Sequence, residues 1–170
     1  MNKRYRQYAG LLSAVAAYYL IHEGAHLIAA LCMGVFKEIR FMGLGVQIDV
    51  YAARMTDVQM GIFCLVGAVA ALAAGYVLIC LADKIGKSRS KVFKACMYYI
   101  TLALLVIDPV YLSLLCGFFG GGDMNGIKLL ISEPFARLIF GAVLAVNAVV
   151  FFKRILPVYK RAFEELTEKI

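Results

Sequence analysis

Four apolar runs, at residues 8–33, 58–81, 96–119 and 135–152, constrain this chain more than any other feature. Each is long enough to cross the hydrocarbon core of a bilayer, which takes about 20 helical residues. Hydrophobic residues make up 63% of 170 positions, more than one soluble domain of that size can bury, so the expected solvent is lipid. The expected fold is an all-α polytopic membrane protein with about four transmembrane helices. Residues 1–156 read as a single domain, and 157–170, where Glu164, Glu165 and Glu168 alternate with Lys and Arg, as a short, solvated amphipathic tail. Lys3, Arg4 and Arg6 followed by an apolar run resemble a signal peptide, but the run is too long and carries the chain's best chemical motif, so it is expected to remain as a helix.

Charge reports orientation. The net charge is +7, yet the cations gather at the ends of the apolar runs and not in a stripe with interleaved aromatics, which argues against nucleic acid as a partner. Of 18 basic residues, 13 fall before the first run, between the second and third, and after the fourth. By the positive-inside rule these segments are cytoplasmic, as are both termini. The expected location is integral to a membrane, the cell membrane of a prokaryote. Five scattered cysteines, with no Cys-x-x-Cys pair, read as buried small side chains and not as a disulfide framework or thiolate metal site.

Between the first two runs, residues 36–51 are rich in β-branched and aromatic side chains, and Gly43 and Gly45 offer a turn. A short β-hairpin is expected, re-entrant or interfacial, because non-helical backbone at membrane depth must be buried in protein or line a wet cavity. The second run carries Gly61, Gly67, Ala68, Ala71, Ala74 and Gly75, small residues that let helices approach closely. The third contains Asp108-Pro109, where a kink is expected. Gly120-Gly121-Gly122 then breaks the chain, and residues 123–131 are expected to restart as a short helix ending near Ser132-Glu133-Pro134.

The first run holds His22-Glu23-Gly24-Ala25-His26, an HExxH motif in a predicted helix. Spacing of i, i+4 puts both imidazoles on one face, where they can share a zinc ion, and Glu23 can take a proton from the water that the metal activates. These are the only histidines in the chain, set among Ala, Leu, Ile and Tyr; ionisable groups at membrane depth are costly and mark function. The bland alternative is a polar cluster that glues helices together. Zinc wants a third protein ligand and an open position, so a carboxylate must serve: Asp123 or Asp108. At about 1.5 Å per residue the histidines lie roughly 20 to 27 Å up their helix and Asp108 roughly 18 Å up its own, whereas Asp123 overshoots unless Pro109 and the glycines turn it back.

In these ordered features the chain resembles the site-2 protease family of intramembrane zinc metalloproteases, in a minimal four-helix form. HEGAH in the first core helix, a β-rich segment, a Gly/Ala-rich second helix and an Asp-x-x-Gly element together cover most of residues 8 to 132. In that family the third ligand is an aspartate in an Asn-Pro-Asp-Gly or Leu-Asp-Gly element. Residues 121–126 (GGDMNG) stand at the matching place, without the proline and with two residues between Asp and Gly. The resemblance thus favours Asp123 as third ligand, and by the same analogy Asn125 orients the substrate backbone or the water. It implies a zinc-dependent endopeptidase acting in or next to transmembrane segments of membrane-protein or peptide-precursor substrates, with Glu23 as acid/base. Family members usually bring the HExxH helix in from outside, so either this chain is inverted, with its site opening outward, or the charge pattern does not set its orientation. The rival class is a membrane protein without catalysis, either a pseudoprotease or a metal-binding protein; a pseudoprotease normally loses a ligand or the glutamate, and neither is lost here.

Overall fold

The computed structural model describes residues 3–43 and 45–164. In chain order the elements are α1 (Lys3–Cys32), β1 (Phe36–Met42), β2 (Gly45–Val50), α2 (Asp57–Gly86), α3 (Lys91–Val110), α4 (Met124–Ile127), α5 (Glu133–Val150) and α6 (Leu156–Glu164). Helix starts follow local chemistry. Thr56 and Gln59 form a reciprocal capping box at α2, the Ser90 hydroxyl accepts from the Phe93 amide at α3, and Pro134 sits in the first turn of α5. Helix α1 ends at Gly34, whose φ of 66° turns the chain into the antiparallel hairpin β1–β2. The hairpin folds back on α1, with β2 the nearer strand and Ile48 buried.

Among the described residues, four helices are long and apolar enough to cross a membrane: residues 4–32, 57–86, 91–115 and 133–164. Helix α1 packs on α2 and α3, and α5 on α3. Their outward faces stay apolar: Leu12, Leu20, Leu138 and Phe152 are 72%, 76%, 67% and 64% exposed, where a water-soluble surface would carry polar groups. The up-and-down course brings the N-terminus of α1, the α2–α3 connection and α6 to one end of the bundle. The hairpin and the glycine loop occupy the other.

Pro109 has no N–H, so the Leu105 carbonyl one turn earlier loses its helical donor. Asn147 of α5 replaces it, with Nδ2 donating to Leu105 at 2.7 Å, and its Oδ1 accepts from the Tyr76 hydroxyl of α2 at 2.6 Å. One buried amide thus ties three helices together. After Pro109 the helix loosens into a π-helical turn, Tyr111–Leu115, and stops. Residues Cys116 to Phe119, expected within the third apolar run, lie in turns outside the helix. Gly120, Gly121 and Gly122 follow at φ of 76°, 89° and 46°, left-handed values that a side chain would strain. The chain reverses there and runs back into the bundle. The expected restart is a single turn, α4, and Ser132 opens α5.

The tail is the expected amphipathic helix over its described residues, but one face of it is buried. Helix α6 continues from α5 through a second π-helical turn, Phe151–Ile155, and is not solvated all round. Ile155, Val158 and Tyr159 are buried against Ala82, Ile85 and Leu105, and Ala162 is buried beside Gly86, while Lys160, Arg161 and Glu164 face outward. Charged residues fill six of the fourteen positions 157–170, yet one small apolar stripe suffices to dock α6. Glu165 and Glu168 lie outside the described residues. All five cysteines are free.

Candidate metal centre

Helix α1 delivers Tyr18, His22 and His26 at intervals of four, so the three side chains stack along one face. That face meets α2 at Gly67, where an added Cβ would stand 2.5 Å from His26 Nε2 and 2.8 Å from His22 Nε2. Only a glycine leaves room for both imidazoles. Phe63, one turn earlier on α2, lays its ring against His26 with centroids 4.8 Å apart. The backbone reversal at 120–122 then returns Asp123 to the same point. Its carboxylate makes no capping bond to α4 and faces the histidines.

Three atoms converge. His26 Nε2 lies 3.1 Å from His22 Nε2, His22 Nε2 lies 3.2 Å from Asp123 Oδ2, and His26 Nε2 lies 3.6 Å from that oxygen. Ligands held about 2.0–2.1 Å from a tetrahedral zinc ion are about 3.4 Å apart, so these three atoms have the size of one face of such a site. Three lone pairs this close repel unless a cation or a shared proton lies between them. Burial by itself would push the Asp123 carboxyl up, but His22 and His26, where they carry a proton, outweigh it and hold it below the usual carboxylate range. The donor set, two imidazoles and a carboxylate, suits zinc.

Asp108 occupies a different place from Asp123. It is 1% exposed, and its two oxygens lie 3.2 and 3.3 Å from His22 Nδ1, on the far side of the ring from the convergent atoms. The Tyr18 hydroxyl donates to its Oδ1 at 2.6 Å. A carboxylate can only accept, so the His22 proton belongs on Nδ1 and the Nε2 lone pair faces inward. This is the carboxylate–imidazole pairing that orients metal-binding histidines. Tyr18 escaped notice in the sequence because one tyrosine in an apolar helix looks lipid-facing; its position four residues before His22 was the available signal.

Two openings meet at this point. A groove of about 830 Å³ runs between β2 and the glycine loop, with Gly45 to Val50 along one wall and Glu23, Asp123 and Asn125 on its floor. The Ile48 backbone amide turns toward the Glu23 carboxylate. A second opening of about 470 Å³ lies between α1 and α3 and is bordered by Tyr18, Glu23, Asp108 and Asp123. Glu23 therefore borders both. Asn125 lines the groove, but its side chain is engaged within the loop: Nδ2 donates to the Gly120 carbonyl at 2.9 Å, and Oδ1 accepts from Lys128 at 3.0 Å.

The fit at Gly67 predicts an asymmetric pair of alanine variants. Gly67→Ala should lower zinc affinity about tenfold or more and cost about 1–3 kcal/mol, because the methyl group displaces the imidazoles. Gly24→Ala, within HEGAH but with nothing near its Cβ position, should leave both unchanged or raise stability slightly. Zinc titration and thermal melting read the difference; wild-type zinc affinity in Gly67→Ala would refute it.

Compared with family models, curated proteins and solved structures, the chain finds no match in any of the three.

Proposed function

We propose that this protein is an intramembrane zinc endopeptidase, a minimal relative of the site-2 proteases, that hydrolyses peptide bonds in or next to membrane-spanning segments. The observation that carries this reading is the convergence of His22 Nε2, His26 Nε2 and Asp123 Oδ2 within 3.6 Å of one another beside Glu23. The apolar outer surface of the four long helices supports integration in a bilayer, and the charge distribution supports cytoplasmic termini with the site opening on the opposite face.

His22, His26 and Asp123 would hold the ion. Zinc, when bound, polarises a scissile carbonyl and acidifies water. The remaining steps belong to the chain. Glu23, at the junction of the two openings, accepts a proton from the attacking water and delivers it to the leaving amine. Asp108, braced by Tyr18, keeps His22 in one tautomer. The hairpin supplies a place for substrate: β1 covers one edge of β2, and the other edge borders the groove. An extended peptide can add there as a third strand, which would also hold a substrate helix unwound where cleavage occurs.

Metal removal tests the proposal. Purified protein reconstituted with a library of tagged single-span membrane peptides should cleave some of them, lose that cleavage on chelation and regain it on adding one equivalent of zinc. Cleavage indifferent to chelation, or purified protein that takes up no zinc, would sink it. One zinc per chain with no turnover on any peptide would favour the non-catalytic metal-binding alternative.

A further inference from the structure

At the end of the bundle opposite the candidate metal centre lies a cavity of about 750 Å³, built by the N-terminal turns of α1 and α3 and by α6. Its volume falls within the usual range of small-molecule sites. Its lining divides into two kinds of surface. Arg6, Lys91 and Lys160 supply cations from three different helices, and Tyr98, Tyr99 and Phe163 supply an aromatic wall. Among the described residues no acidic side chain lines it; Glu164, 4.0 Å from Lys160, is the nearest acid paired with a lining residue. A fourth cation, Lys94, is buried just behind, with its Nζ donating to the Ala162 carbonyl and lying 5.2 Å from the Phe163 ring centroid. Tyr159 also borders the cavity; its hydroxyl is buried near Thr101, yet makes no hydrogen bond among the described residues.

Three cations converge on one aromatic-walled cavity, and among the described residues only the Phe163 ring under Arg6, 5.8 Å away, and Glu164 beside Lys160 answer them, so positive potential is concentrated there. An inorganic anion would use the charges and leave the aromatic wall unused, whereas a neutral lipid would use the wall and leave the charges unanswered. The ligand that matches both is an anionic amphiphile. The cavity opens at the end of four helices read as membrane spans, on the face where their cations gather, which is the depth of lipid headgroups. We infer that this cavity binds the headgroup of an anionic phospholipid, with its phosphate among Arg6, Lys91 and Lys160 and its glycerol and upper chains against Tyr98, Tyr99 and Phe163. Basic pockets between helix ends are suited to such headgroups. The bound lipid joins α6 to α1 and α3, so it clamps the C-terminal helix onto the bundle.

The test uses the full chain in nonionic detergent, titrated with short-chain phosphatidylglycerol, short-chain phosphatidylcholine or inorganic phosphate, and read by native mass spectrometry and thermal melting. Phosphatidylglycerol should bind at one per chain and raise the melting temperature, with affinity at least about tenfold above phosphatidylcholine. Each neutralised cation should lower that preference about fivefold, so Arg6→Gln/Lys91→Gln/Lys160→Gln should abolish it. All three side chains are partly or fully exposed, so the variant should fold. Lys84→Gln/Lys87→Gln, which removes cations at the same end but outside the cavity, should retain the preference. Equal binding of the two lipids, a preference that survives the triple variant, an equal loss in the Lys84/Lys87 control, or saturation by inorganic phosphate alone would each overturn the inference.

Discussion

Glu23→Gln is expected to lower cleavage about a hundredfold to ten-thousandfold while leaving zinc bound at one per chain. Glutamine keeps the shape of the side chain and loses its ability to take up a proton at neutral pH. Metal content should not change, since the three convergent atoms come from His22, His26 and Asp123, with Glu23 outside that group and bordering both openings. Product analysis on reconstituted membrane peptides, together with elemental zinc measurement, reads both quantities in one preparation. Full activity in Glu23→Gln would remove the acid/base from the proposed mechanism; loss of zinc would mean that the glutamate is itself a ligand.

The second large effect separates the two aspartates. Asp123→Ala should lose zinc altogether, because it deletes one of the three proposed ligands. Asp108→Asn should keep zinc with affinity reduced about 10- to 100-fold, the usual cost of removing a partner that orients a metal-binding histidine. Tyr18→Phe, which removes one of the two donors to Asp108, should follow Asp108→Asn in direction and be milder. Zinc competition with a chromogenic chelator measures all three variants. The reverse order, with Asp108 essential for binding and Asp123 dispensable, would show that Asp108 is the ligand.

How far the sequence could be read depends on how local each feature is. HEGAH is legible because covalent spacing on a helix places His22 and His26 together whatever surrounds them. The hairpin at 36–50 is legible for the same reason, from β-branched residues flanking a glycine. Asp123 is less so. Depth counting along unbroken helices carries it past the histidines, and the triple glycine announces a break without saying in which direction the chain leaves it. The positive φ values at 120–122 turn the chain back, and that choice is made by packing of α4 on α2. Asp108 had the right depth and the wrong side of the imidazole, a distinction of a few ångströms that no counting along a helix resolves. Helix α6 is legible as an amphipathic helix, but its docking is not, because exposed Lys160, Arg161 and Glu164 mask the buried Val158, Tyr159 and Ala162 between them.

The separation of the converging residues also sets a schedule. His22 and Asp123 are 101 positions apart, and the reversal that joins them follows α3. A ribosome therefore releases the HEGAH helix long before it releases the carboxylate that completes the trio. Throughout that interval the nascent chain holds the two imidazoles without the carboxylate that converges on them. Any chain truncated before residue 123 remains in that state. On the proposed function, the capacity for hydrolysis would be withheld until three long helices have been made.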